Sequence, residues 1–131
     1  MTAPLVCGGL FIPLTKGKFS VVSFEDALTA CRQHWYAGKG NGGFYAMGAR
    51  PGGRSRPNRG IRLHRIILNA ERGTMIDHAN LDSLDNQRYN LRYATNSQNQ
   101  ANQRKSRGTS RFKGVMWSTR KRIWQARIKI G

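Results

Sequence analysis

The chain has 131 residues and a mass of 14.8 kDa, room for one compact domain or a domain with an appendage but not for two large domains. Hydrophobic residues make up 38% and include three Trp, four Tyr and five Phe, which excludes a wholly disordered chain. Against 23 Lys and Arg stand six acids, a formal charge of +17, so the first expectation is a polyanionic partner.

Met1 to Thr15 is fairly apolar but has no basic segment before it, and no apolar run approaches the roughly 18 residues of a membrane span. A soluble, unexported protein is expected. Cys7 and Cys31 form no CxxC pair and lie far from the histidines in sequence, so they read as buried free thiols rather than a zinc site or a disulfide framework.

In chain order, Leu10 to Val22 reads as a small hairpin around Lys16-Gly17-Lys18, with Phe19 and Val21 alternating against Lys18 and Ser20. Ser23-Phe24-Glu25-Asp26 resembles a helix start, and Phe24, Ala27, Leu28, Cys31 and Trp35 recur at helical spacing as one apolar stripe. His34 is expected to end that helix, where an imidazole interacts favourably with the dipole. Trp35-Tyr36-Ala37 and Phe44-Tyr45-Ala46 flank the glycine-rich Gly38 to Gly43, which suggests a second hairpin. Arg50 to Gly60 holds two Pro, three Gly and four Arg and is expected to be a basic loop, suited to phosphate contacts through Arg54 and Arg56. Ile61 to Ala70 reads as a strand running into a short helix.

Four of the six acids fall between Glu71 and Asp85, beside His78 and several Asn. Such a window suits either a cation held against a phosphate or a polar loop whose Asp residues make turns. From Met75 the pattern is strand (Ile76 to His78), polar loop (Asn80 to Arg88), strand (Asn90 to Ala94, with Leu91 and Tyr93 on one face) and helix. Thr95-Asn96-Ser97-Gln98 has the form of a capping box, which starts the helix near Asn96 and puts Asn99 in its first turn. Period two sends Asp77 and His78 to opposite faces, so one site can use both where the strand ends or bends.

These residues resemble the HNH nucleases with a ββα-metal site, in particular the phage and mobile-intron group. The resemblance is carried by Leu63-His64-Arg65, Ile76-Asp77-His78, Asp85-Asn86, Asn90-Leu91-Arg92 and Asn99, and extends upstream to Ile12 to Phe19 and the Trp35-Tyr36 and Phe44-Tyr45 pairs. It implies an α+β fold in which residues 1–105 form a nuclease domain, with the ββα-metal motif at about 74–104 behind an N-terminal hairpin and helix region. It makes His78 the general base, Asn90 the residue that holds the loop and orients His78, and Asp77 and Asn99 the ligands of one Mg²⁺ or Mn²⁺. Asn99 stands where the family name has its last His. His64 takes a structural or phosphate-contacting role. The implied activity is metal-dependent cleavage of double-stranded DNA, of homing type, by a cytoplasmic monomer in a bacterial or phage-infected cell, giving a 5′ phosphate and a 3′ hydroxyl. The competing reading is a non-catalytic nucleic-acid-binding protein, either an inactive relative or an RNA-binding module; a weaker rival is an RNase of similar fold.

Phe112 to Trp117 and Ile123 to Ile128 read as two strands around the basic turn Ser118 to Arg122. Arg111 to Gly131 resembles the start of the APETALA/ethylene-response-factor DNA-binding domain without its later strand and helix. Residues 106–131 are therefore expected to be an incomplete basic β hairpin, with Arg111, Lys113, Arg120, Arg122 and Arg127, together with Arg92, as DNA contacts. The alternative is a hairpin whose Trp residues are core and whose Arg residues are solvated.

Overall fold

A computed structural model describes residues 5–6, 8–49, 60–103 and 110–127. Cys7, the basic loop with Arg54 and Arg56, the stretch Arg104 to Thr109 and the end of the second tail strand lie outside the described residues. What is described mixes helices and strands, as expected for an α+β protein.

The first sheet runs in the order β1, β2, β3, β8. It is built from β1 (Leu5–Val6), β2 (Gly9–Pro13) and β3 (Phe19–Ser23), with β8 (Asp85–Asn86) joining β3 in parallel. The turn joining β2 to β3 has Lys16 at φ 62° and Gly17 at φ 63°, the left-handed pair whose twist matches that of the strands. The alternation along β3 is the expected one, but Ser20 and Val22 face inward at 0% exposure and Phe19 is exposed against Phe11. Ser20 can occupy that inner position because its hydroxyl donates to the Leu84 carbonyl at 2.8 Å.

A 3₁₀ turn, Phe24–Asp26, leads into α1 (Ala27–Cys31), which ends three residues before the expected His34. Trp35 belongs to β4, and its indole N–H donates to the Ala30 carbonyl at 2.7 Å, joining strand to helix. A helix of five residues presents little face to the core: only Ala30 is buried, Phe24 and Leu28 are exposed, and Cys31 is an exposed thiol rather than the buried one expected.

The second sheet, in the order β4, β5, β6, pairs β4 (Trp35–Gly40) with β5 (Gly43–Gly48) and β5 with β6 (Ile61–Arg62). The glycine-rich segment is mostly strand, and the turn is only Asn41-Gly42. Chain then passes into α2 (Leu63–Ile67). Two further pairs follow: β7 (Ile76–His78) against β9 (Leu91–Tyr93), and β10 (Val115–Ser118) against β11 (Ile123–Ala126), with α3 (Asn96–Asn102) between them. The core is Ile12, Leu14, Val22, Ala30, Trp35, Ala37, Ala46, Leu63, Ile67 and Leu91, which locks both large sheets to α1, α2 and β9. No helix among the described residues is long and apolar enough to cross a membrane.

One ion pair ties the N-terminal part to the segment before β9. Arg88 donates twice to the 2%-exposed Asp26, at 2.9 and 2.8 Å, once to the Ile67 carbonyl at 3.2 Å, and lies 3.0 Å from Glu25. Removing the guanidinium leaves a buried carboxylate without its cation, a loss of about 3 to 5 kcal/mol. Arg88→Met is therefore expected to lower the urea-unfolding free energy by that amount, and adding Asp26→Leu to the same chain to recover part of it.

Candidate active site

Two antiparallel strands and a helix, in the order β7, β9, α3, carry the polar cluster. Asp77 pairs across from Arg92 and His78 from Leu91. The capping box of α3 is complete: Thr95 Oγ1 accepts from the Gln98 N–H at 3.2 Å and Gln98 Oε1 accepts from the Thr95 N–H at 2.9 Å. Asn99 therefore sits in the first turn, as the spacing requires.

Asp77 and His78 are 6% and 7% exposed although they are neighbours on one strand. The strand ends at His78, the chain turns at Ala79-Asn80, and the Leu81 N–H returns to the His78 carbonyl at 3.0 Å. Both side chains consequently line one cavity of about 950 Å³, together with Tyr45, His64, Leu81 and Asn99. Its wall also holds Lys39, Arg62 and Arg65, three cations against the single carboxylate of Asp77. Tyr45 reaches the two histidines by crossing Gly40, where a Cβ would meet its ring at 2.5 Å. Arg62 lies over that ring, 4.3 Å from its centroid. Arg65 fixes the loop bordering the cavity by donating to the Thr74 and Glu71 carbonyls at 2.6 and 2.5 Å.

The Asp77 carboxylate is anchored on one oxygen. Oδ2 accepts from Arg92 at 2.8 and 3.2 Å and from the Asn102 amide at 2.8 Å, and the same amide donates to the His78 carbonyl. Oδ1 accepts no hydrogen bond among the described residues. Asn99 lines the cavity and its side chain makes no hydrogen bond among the described residues.

On the other side of β7, the His78 Nε2 lies 3.0 Å from the Asn86 Oδ1. Burial pushes the His78 imidazole below the ordinary 6.5, opposed by the Asn86 hydrogen bond and by the charges of Asp77, Asp82 and Asp85. His64 is packed edge-on to His78 with ring centroids 5.0 Å apart, and is lowered to about 3 by burial first and then by His78, Arg62 and Arg65. Both rings are neutral at pH 7.

Two of the other three acids of this window, Asp82 and Asp85, make turns. Asp82 accepts from the Leu84 N–H and Asp85 from the Gln87 N–H. The expected continuous loop contains β8 and a 3₁₀ turn, Arg88–Asn90, so that Asn90 precedes β9 instead of starting it. Asn90, 2% exposed, staples that loop: its Oδ1 accepts from the Asn80 N–H at 2.9 Å, its amide donates to the Asp85 carbonyl at 2.8 Å, and its backbone carbonyl accepts from the Ala79 N–H at 2.9 Å.

The candidate nucleic-acid contacts divide into two groups. Arg92 is held by Asp77, and the Lys113 ammonium donates to the Gln100, Ala101 and Gln103 carbonyls at 2.5, 2.6 and 2.9 Å, closing the C-terminal end of α3. Arg111, Arg120, Arg122 and Arg127 are exposed and their side chains form no hydrogen bond or ion pair among the described residues; Arg111 rests on the Phe112 ring. Trp117 and Trp124 face one another across β10 and β11, half-exposed, with centroids 5.3 Å apart.

Sequence reasoning assigned no role to Asn102, Asn86 or Ser20. Asn102 was within reach, because it lies three residues beyond Asn99 and so on the same side of α3. Comparison with family models, with curated proteins and with solved structures finds no match to the chain.

Losing the Asn90 side chain removes the partners of one backbone donor and one backbone acceptor, both part-buried, two hydrogen bonds worth about 0.5 to 1.5 kcal/mol each. Asn90→Ala is expected to destabilise the fold by roughly that amount and to speed hydrogen exchange at the Asn80 amide above the general increase, read by NMR.

Proposed function

We propose that this chain is a metal-dependent HNH-type DNA endonuclease with a ββα-metal centre, acting as a monomer on double-stranded DNA in the cytoplasm. The observation that carries the reading is the convergence of Asp77, His78 and Asn99, from β7 and α3, on one cation-lined cavity, with the intervening loop stapled by Asn90. A protein that only binds nucleic acid needs the cations but has no use for a buried neutral imidazole beside a half-free carboxylate.

The donor set fits a hard divalent cation. Asp77 and Asn99 both line the cavity, and Asp77 Oδ1 and the Asn99 amide oxygen, which have no protein partner among the described residues, are donors of the kind Mg²⁺ or Mn²⁺ prefers. No cluster of three or more His, Cys, Asp or Glu that could hold a metal occurs among the described residues, so the rest of the shell would come from water and phosphate. A bound cation would stabilise charge on the scissile phosphate and the leaving oxygen. Lys39, Arg62 and Arg65 draw the phosphate in; Arg92 and Asn102 fix the Asp77 carboxylate; His78, neutral, takes the proton of the attacking water. The exposed cations of the tail hairpin supply contacts to the backbone of the duplex.

Incubation with mixed-sequence duplex DNA in Mg²⁺ or Mn²⁺ should give cleavage that EDTA abolishes. Asp77→Ala should eliminate it, and His78→Ala should slow single-turnover cleavage by roughly 10²-fold or more with gel-shift affinity unchanged. A protein that binds duplex DNA tightly but leaves it uncut in either metal is a binding module, and faster cleavage of RNA of the same sequence would make it a ribonuclease.

Binding should weaken steeply with salt, by about 0.9 in the log–log slope for each phosphate neutralised. Replacing Arg120, Lys121 and Arg122 together by Ala should flatten that slope in a fluorescence-anisotropy titration. An unchanged slope would place the duplex elsewhere.

A further inference from the structure

We infer that Asn86 and Ser20 act as positioning residues that set the tautomer of His78, keeping its proton on Nε2 and leaving Nδ1 as the ring's acceptor. The inference that this serves catalysis rests on the nuclease reading; the position of the proton does not.

The reasoning follows a chain of hydrogen bonds whose direction is fixed at one end. A carbonyl oxygen only accepts, and the Leu84 carbonyl takes two donors, the Ser20 hydroxyl at 2.8 Å and the Val21 N–H at 2.9 Å. A serine has one hydroxyl proton, so Ser20 Oγ, having donated it to Leu84, can only accept from its other neighbour. That neighbour is Asn86, whose Nδ2 lies 2.7 Å away and is therefore the donor. With the amide nitrogen turned to Ser20, the amide oxygen faces His78, and Oδ1 sits 3.0 Å from Nε2. Two acceptors cannot share a hydrogen bond, so Nε2 carries the proton. A neutral imidazole has a single N–H, and its lone pair is then on Nδ1.

Position reinforces direction. Ser20 and Asn86 are 0% and 1% exposed, so water has little access to substitute for either partner. Their proximity follows from the parallel pairing of β3 with β8, in register Val21 with Asp85 and Val22 with Asn86. Asn86 does not line the cavity whereas His78 does, so the Nε2 edge of the ring is turned toward the protein interior. A ring free to exchange tautomers would present an acceptor to the cavity only part of the time. The first sheet, remote in sequence from the DH pair, thereby reaches the reacting group through two neutral side chains.

The test uses the full chain labelled with ¹⁵N-histidine, free of metal and DNA, at a pH where His78 is neutral. Long-range ¹H–¹⁵N correlation spectra distinguish the two tautomers directly. The parent should show His78 as the Nε2–H form alone. Ser20→Ala removes the acceptor that orients the Asn86 amide, allows it to turn over, and should bring in the Nδ1–H form; Asn86→Ala should do the same. Single-turnover cleavage should fall roughly 10- to 100-fold in Ser20→Ala and Asn86→Ala, the usual range for such supporting partners, with DNA affinity unchanged. An Nδ1–H signal in the parent overturns the proton assignment, whatever the cleavage assay gives. A parent tautomer that persists in Ser20→Ala and Asn86→Ala overturns the role of the chain of hydrogen bonds, and redistribution without any change in cleavage rate overturns the positioning role. If the parent shows Nε2–H, the variants redistribute it and no protein cuts DNA, the tautomer control stands and the nuclease reading fails.

Discussion

Five polar side chains, Ser20, Asp77, His78, Asn86 and Asn90, are buried to 7% exposure or less around one end of β7. An unpaired polar group at that depth costs about 1 to 3 kcal/mol, so the arrangement is permissible only if each is matched. Each finds at least one partner: Ser20 with Leu84 and Asn86 from more than sixty residues away, Asp77 with Arg92 and Asn102, His78 with Asn86, and Asn90 with its nearer neighbours Asn80 and Asp85. Satisfying this set forces β8 against β3, closes the loop between β7 and β9, and brings α3 onto the Asp77 side of β7. The hydrophobic core is modest, with three alanines among its ten residues, and the polar set is what gives this end of the molecule a defined geometry.

Carboxylates are scarce, and nearly all have internal partners. Glu25 and Asp26 meet Arg88, Asp77 meets Arg92, and Asp82 and Asp85 accept from backbone amides in turns. Of the six acids only Glu71 has no such partner for its carboxylate among the described residues. The consequence is a surface of net charge +17 with few free carboxylates, a field that favours polyanions before any specific contact forms.

The parts of this fold legible in the sequence are those encoded by local chemistry. Lys16-Gly17 marks the first hairpin turn, the glycine-rich Gly38 to Gly43 marks the second without showing that most of it is strand, and Thr95 with Gln98 marks the start of α3, because these residues act on backbone within three or four positions. The apolar stripe from Phe24 to Trp35 misled for the opposite reason. Pairing of β4 along β5 recruits Trp35 into a strand, and the helix stops early with Phe24, Leu28 and Cys31 in solvent. Strand β8 has two polar residues and no periodic signature, and its place depends on a partner strand more than sixty residues earlier. The Asp77, His78 and Asn99 set was readable from its spacing and resemblance, whereas Asn86 and Ser20 acquire meaning only once β3 and β8 are side by side.

Within the proposed site, charge and proton chemistry are carried by different residues. His64 and His78 are both neutral because burial lowers them, so the positive field of the cavity comes from Lys39, Arg62 and Arg65. A histidine that supplied the field would have to be protonated and could not then accept a proton. Placing the cations on β4, β6 and α2 and the imidazole at the end of β7 resolves that conflict. The edge-on contact with His78 acts on His64 in the same direction, since that imidazole is lowered by burial first and then by His78, Arg62 and Arg65, and it adds no positive charge of its own to the cavity.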